Sequence, residues 1–190
     1  MPRLFTGLEL PGDVRDALID IEQPLTGASW IDAGDLHLTL RFFGDVSEET
    51  ARDLADLLDT TAAGAFPLKI AGIGSFGAEP HSLYAAVEPN PALDALARAH
   101  DRIARGLGLP NAKRPWKPHV TLARLHHADP IKLARVLSEE ALFALDPIFV
   151  HRYALFSSHP RTGGGPYVVE AHYPLRGGLG TGNDEDGNPW

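Results

Sequence analysis

The sequence predicts a two-lobed α+β domain with pseudo-twofold symmetry, and three observations predict it. Strand-like and helical runs alternate along 190 residues, enough for one substantial core. The two halves echo each other at a nearly fixed offset: His37 and His119 lie 82 positions apart, and the pairs Pro67/Pro147 and Phe76/Phe156 each lie 80 apart. Such an offset marks a duplicated unit. Each half reads strand, helix, His-Thr strand, helix, strand. Two copies make lobes rather than a solenoid, and the strands are too few and too hairpin-like for a doubly wound parallel sheet.

The elements follow in order. "RLFTGLEL" (Arg3–Leu10) alternates as a strand does and stops at Pro11-Gly12. Asp13–Glu22 carries Val14, Ala17, Leu18 and Ile21 at helical spacing. "LHLTLRFFG" (residues 36–44) is a strand closed by Gly44. Ser47 is an N-cap with Thr50 at N3, opening a helix with Leu54, Leu57 and Leu58 on one side. "FPLKIAGIGSF" and "SLYAAVEP" are strands. Pro91 begins a helix ending at Gly106 or Gly108. "KPHVTLARL" is a strand, and Asp129 caps a helix with Pro130 in its first turn. "FALDPIFVHRYALF" and "PYVVEAHYPL" are the last strands. Residues 1–175 make one two-lobed domain. The glycine-rich stretch 176–190, with Asp184, Glu185 and Asp186, is expected to be a disordered acidic tail.

Composition narrows the function. The net charge of −8 is wrong for a protein that coats nucleic acid, which needs a broad basic surface, although a local basic pocket is compatible with it. Zero cysteines exclude disulfides, thiolate catalysis and Cys-ligated zinc. No apolar run approaches the ~20 residues that cross a bilayer, and "MPRLFTGLELPGD" lacks the features of a signal peptide. A cytoplasmic protein, not a membrane protein, is expected.

The doubled motif "HLTL" and "HVTL" carries the chemistry. Residues i and i+2 of a strand share a face about 6.6 Å apart. His37 and Thr39 therefore point together, as do His119 and Thr121, while leucines and Val120 face a core. If symmetry joins the two strands, two imidazoles and two hydroxyls meet in one cleft. One neutral His can accept a proton from an attacking water while a protonated one supplies the leaving oxygen, and an imidazole has both forms near neutrality. The hydroxyls can donate to phosphate oxygens. A phosphodiester fits this array. Cations must balance its transition state: strand parity puts Arg41 on the His37 face and Lys117 on the His119 face, with Arg124 on the opposite one unless the strand bends or ends there. A single His-x-Thr strand is a weak signal; two at matching places are a strong one. Inspection alone leaves open which His is acid and which is base.

"RLFTGLELP", "LHLTLRFFGDV" and "RPWKPHVTLAR" together resemble the 2H phosphoesterase superfamily, and within it the RNA 2′,3′-cyclic phosphodiesterases, also called 2′–5′ RNA ligases. The resemblance runs from about Arg3 to Leu175. It implies a bilobal fold, with antiparallel sheets flanking a central cleft and helices outside. It also implies metal-independent, cofactor-free hydrolysis of an RNA 2′,3′-cyclic phosphate end to a 2′-phosphate. Reversible 2′–5′ ligation is the same chemistry with an RNA 5′-hydroxyl in place of water. By this resemblance His37 is the donor to the leaving 3′ oxygen, His119 the base, Thr39 and Thr121 hold phosphate oxygens, and Arg124 lies near the phosphate. Where the family often has an Arg before an aromatic strand, this chain reads "PHSLYAAV", with His81 and Tyr84.

Other residues are weighed against plainer roles. Parity puts Phe43 on the His37 face and Phe42 on the core side. Phe43 and Trp116 are candidates to stack a terminal base, against packing, the commoner role of an aromatic. His126 and His127 point oppositely in a strand and no carboxylate completes a site, so no metal is expected. His81, His100, His151, His159 and His172 read as solvated or locally bonded. "RTGGGP" (Arg161–Pro166) lacks a P-loop ending and reads as a hairpin loop. A monomer is expected. Two further functions compete: cyclic phosphodiester hydrolysis on small nucleotides such as ADP-ribose 1″,2″-cyclic phosphate, and a non-catalytic RNA-end binding module.

Overall fold

The computed structural model describes residues 1–112, 115–159 and 165–177. Strand β1 (Arg3–Glu9) leads through α1 (Gly12–Ile19) to a short β2 (Ala28–Trp30) and a 3-10 turn at Ala33–Asp35. The first motif strand, β3 (His37–Asp45), precedes α2 (Glu48–Asp59), β4 (Phe66–Leu68), β5 (Ile70–Phe76) and β6 (Ser82–Val87). Then come α3 (Pro91–Gly106), the second motif strand β7 (His119–Leu125), α4 (Pro130–Glu139), β8 (Ile148–Val150), β9 (Arg152–Ser158) and β10 (Val168–Pro174).

The helix starts follow local chemistry. Ser47 Oγ accepts the Thr50 N–H at 3.1 Å, and Asp129 Oδ1 accepts those of Ile131 and Lys132 at 2.9 and 3.2 Å. Asn90 caps α3 in the same way, taking the Ala92 and Leu93 N–H groups at 3.0 and 3.1 Å. Leu54 and Leu58, one turn apart, bury the inner stripe of α2, and Leu57 falls outside that stripe and is exposed. β2 carries no alternation over its three residues, and nothing in the sequence marked it as a strand.

Eight strands form one antiparallel sheet with a weak seam. On one side stand β10, β9, β1 and β3; on the other β7, β6 and β5, with β2 also against β7. The seam is a single pairing, Leu38 with Val120. The lobes are not the sequence halves. β9, from the second half, pairs with β1, and β5, from the first, pairs with β6. Each half thus places its closing strand in the other lobe, and β4 pairs with β8 across the two. Gly7 makes one close approach possible: a Cβ there would lie 2.7 Å from the Leu38 carbonyl oxygen beside the first motif.

One large core lies between the sheet and the helices, taking in Leu38, Leu40, Val120 and Leu122 from the motif strands and Leu93 and Leu96 from α3. Arg176, read from sequence as part of the tail, instead bridges Gly64: its N–H reaches Ala63 O at 2.8 Å and its carbonyl accepts from Ala65 at 2.9 Å. The rest of the tail from residue 178, and most of the "RTGGGP" loop, lie outside the described residues. His100, read as solvated or locally bonded, is wholly buried between α3 and the sheet, with Nδ1 2.9 Å from Thr6 Oγ1 and its ring beside Tyr153.

Candidate active site

The alternation expected of the motif strands holds through Leu40 and Leu122. His37, Thr39, His119 and Thr121 are half-buried, and the residues between them are buried. β3 and β7 are antiparallel, so the Leu38–Val120 pair sets His37 across from Thr121 and Thr39 across from His119. The four polar residues surround that pair with twofold symmetry. The imidazoles stand on its diagonal, a relation that spans roughly 7–8 Å in a regular ladder. That is room for a phosphorus between them.

Each ring is anchored alike. His37 Nδ1 lies 2.7 Å from the Asp35 carbonyl oxygen, and His119 Nδ1 lies 2.8 Å from that of Lys117. A carbonyl only accepts, so Nδ1 carries the proton in both and Nε2 is the working atom. His37 Nε2 meets Thr39 Oγ1 at 3.0 Å. Burial pushes both rings below the ordinary histidine value. After burial, the upstream backbone carbonyl raises both, and the neighbouring charges then differ in sign. The Asp35 carboxylate pulls His37 up, and the Lys117 ammonium pushes His119 down. The charge of His119 also lowers His37, so the two rings sense each other.

Past the motifs, parity fails in both strands. In pairing with β1, β3 skips Leu40: Gly7 faces Thr39 and Thr6 faces Arg41. In pairing with β6, β7 skips Leu122: Tyr84 faces Thr121 and Leu83 faces Ala123. These bulges sit 82 positions apart, at equivalent places. An extra residue reverses which face every later side chain occupies. Arg41 is therefore turned inward, away from the cleft, which corrects its expected role at the phosphate. It is 8% exposed, pairs with Asp101 at 3.1 Å and donates to Phe42 O and Pro110 O. Arg124, which parity had put on the wrong side, is turned into the cleft.

The same reversal corrects the aromatic candidates. Phe43 is buried in the main core and cannot stack a base, while Phe42 is 39% exposed on the cleft face, stacked 6.0 Å from Phe5. Trp116 is half-buried against the core and donates its indole N–H to Thr39 O at 3.1 Å, so it braces the first motif strand instead of lining the cleft.

One cleft is lined by His37, Thr39, Thr121 and Arg124, together with Ile31, Asp35 and Tyr167. His119 flanks it, next to Thr121 on the strand. Sequence reasoning missed Tyr167. Its backbone N–H donates to Asp35 Oδ1 at 2.9 Å, its ring stands edge-on to His37 at 4.8 Å, and its hydroxyl shares a hydrogen bond with Arg124. It sits at the end of the β9–β10 connection, just before β10, and no local pattern could link it to a motif 130 residues earlier. Aromatic pairs bracket both imidazoles: Phe5 and Phe156 beside His37, Phe76 and Tyr84 beside His119. Lys117 stays on the His119 face as parity predicted, with Nζ 2.7 Å from the Tyr84 hydroxyl.

Two imidazoles on one face, each anchored through Nδ1 so that Nε2 is the working atom, with two hydroxyls and a guanidinium, can move a proton on to one side of a phosphorus and off the other while holding its free oxygens. Among the described residues, no three His, Asp or Glu side chains converge as metal ligands, and no helix is long and apolar enough to cross a membrane.

Known proteins resemble this chain in sequence and in fold. A model of the 2′-5′ RNA ligase superfamily matches residues 17–155. An RNA 2′,3′-cyclic phosphodiesterase of Thermus thermophilus is 32% identical over 92% of this chain and 91% of its own. A Geobacillus stearothermophilus protein of the same name is 28% identical over 91% of this chain, which spans 57% of that relative's length. A crystal structure of a Thermus thermophilus protein superposes with a TM-score of 0.76 at 27% identity, covering 93% of this chain and 100% of the other.

Proposed function

The chain belongs to the 2′-5′ RNA ligase superfamily, and from that premise we propose that it is an RNA 2′,3′-cyclic phosphodiesterase, opening the cyclic phosphate at an RNA end to a 2′-phosphomonoester. Water attacks the phosphorus from the His119 side and His119 Nε2 takes its proton. The P–O3′ bond breaks, and His37 gives the leaving 3′ oxygen the proton held on its Nε2. Thr39 and Thr121 donate to the non-bridging oxygens, and Arg124 balances the charge gathering there. Solvent then restores both imidazoles. With an RNA 5′-hydroxyl in place of water, the same steps join two ends by a 2′–5′ linkage. The enzyme acts as a cytoplasmic monomer.

The observation that carries this reading is the twofold quartet around Leu38 and Val120. Its charges support the division of labour taken from the family: the carboxylate of Asp35 favours a protonated His37, and Lys117 favours a neutral His119.

The test is turnover of an oligonucleotide with a 2′,3′-cyclic phosphate end, with and without EDTA, followed by product analysis. A 2′-phosphate, unaffected by EDTA, is expected. His37→Ala and His119→Ala should each keep the fold and lower the rate at least ~100-fold, the lower end of what a general acid or base supplies. Unchanged rates in either variant overturn the mechanism. ADP-ribose 1″,2″-cyclic phosphate as a parallel substrate tests the small-nucleotide reading, which wins if it is turned over faster than the RNA end.

A further inference from the structure

The catalytic cleft does not end at His37. A second cavity begins there, sharing Asp35, His37 and Tyr167 with the first, and runs outward between the start of α1 and β8. Its walls are largely apolar, with Leu10, Pro11, Phe149 and Val169 among them, and Arg15, His151 and Arg152 add basic groups. Of its two carboxylates, Glu9 is engaged by Arg152 at 3.3 Å and His172 at 2.7 Å, and Asp35 holds the Tyr167 N–H. The side chain of Arg15, half-buried on α1, has no ion pair or hydrogen bond among the described residues. An uncompensated guanidinium beside an apolar wall suits a ligand that is a flat apolar ring joined to an anion.

The direction of the reaction identifies that ligand. His37 protonates the leaving 3′ oxygen, so the ribose that bears it lies on the His37 side, and the chain attached through its 5′ carbon continues outward from there. Water enters from the His119 side. The second cavity opens past His37, on the side of the leaving group. We propose that it receives the penultimate nucleotide of the RNA, with its base against the Phe149 and Val169 wall and Arg15 on the phosphodiester that joins it to the terminal nucleotide. This rests on the phosphodiesterase reading and adds a preference within it: polynucleotide ends over cyclic mononucleotides.

The experiment compares kcat/KM for a dinucleotide ending in a 2′,3′-cyclic phosphate with that for the matching cyclic mononucleotide. The wild type should favour the dinucleotide by at least ~10-fold, the scale of one charge-assisted phosphate contact. Arg15→Gln should collapse that ratio towards one, mostly through KM for the dinucleotide, and should flatten its salt dependence. Phe149→Ala, on an exposed wall away from α1, should shrink the ratio independently, so a poorly folded Arg15 variant still leaves a test. A wild-type ratio near one, or a ratio unchanged in both variants, overturns the inference and leaves the phosphodiesterase standing. Failure of the wild type on both substrates removes the phosphodiesterase reading, and this inference with it.

Discussion

His37 Nδ1 and His119 Nδ1 each meet the carbonyl oxygen two residues upstream, at 2.7 and 2.8 Å. The contact is duplicated along with the motif, fixes the same tautomer twice, and leaves Nε2 of both rings as the working atom. What the duplication does not copy is the side chain at that upstream position. It is a carboxylate before His37 and an ammonium before His119. Two rings anchored alike are thereby biased in opposite directions by the neighbouring charge.

That asymmetry predicts opposite shifts in the pH profile of kcat/KM. The acid limb reports the base, which must be neutral, and the alkaline limb reports the acid, which must be protonated. Lys117 lowers His119, so Lys117→Met raises its pKa and moves the acid limb to higher pH. The Asp35 carboxylate raises His37, so Asp35→Asn lowers its pKa and moves the alkaline limb to lower pH. Limbs that move together, or stay fixed, would show that these two charges do not set the roles.

The paired bulges separate the two arginines. Arg124→Ala should lower kcat/KM about 100-fold, the scale of losing one charge-stabilising donor, with little change in stability. Arg41→Ala should do the reverse. It takes the buried cation from Asp101, which keeps only its surface pair with Arg105, and leaves the Phe42 and Pro110 carbonyls without their donor, costing about 2 kcal/mol, while the folded fraction keeps its rate. Denaturation midpoints measured beside active-site-titrated kinetics distinguish the two outcomes.

The motifs, their duplication and the leucine side of each strand were legible in the sequence because a strand's period is strict for as long as its ladder is regular. The face of Arg41, Phe43 and Arg124 was not legible. A bulge is set by how two strands pair, and "LTLRF" reads the same with or without one. Lobe composition was hidden for a similar reason: β5 and β9 look alike at the ends of their halves, and only pairing reveals that each lies in the other half's lobe. Tyr167 reaches the site by tertiary placement alone.

Acid should weaken the fold through His100. Buried without charge compensation, its pKa is pushed down to about 3 from 6.5. The unfolded chain therefore binds a proton that the native state refuses. This stability is complete above the unfolded value and declines as pH falls from 6.5 towards 3. Between pH 7 and pH 5 it amounts to about 2 kcal/mol. Urea titrations of the wild type and His100→Leu at both pH values isolate it: the variant should lose about that much less on acidification. An equal decline in both would mean that His100 is protonated in the native state or exposed to solvent.

Phe42 and Phe43 give the sharpest contrast, because they are adjacent and one is exposed while the other is buried in the core. Phe42 occupies the place in the first lobe that Arg124 occupies in the second, with Arg3 5.2 Å from its ring centroid and Phe5 behind it. The ring is still 39% exposed, and a base stacked on that exposed part would gain roughly 1–3 kcal/mol. Phe42→Ala should therefore raise KM for an RNA end about tenfold with kcat and stability nearly intact. Phe43→Ala empties part of the core and should cost about 3–5 kcal/mol of stability, with KM unchanged in the protein that remains folded. If Phe43→Ala is the variant that binds poorly while Phe42→Ala unfolds, the strand runs without its bulge at Leu40, and Arg41 would then point at the phosphate after all.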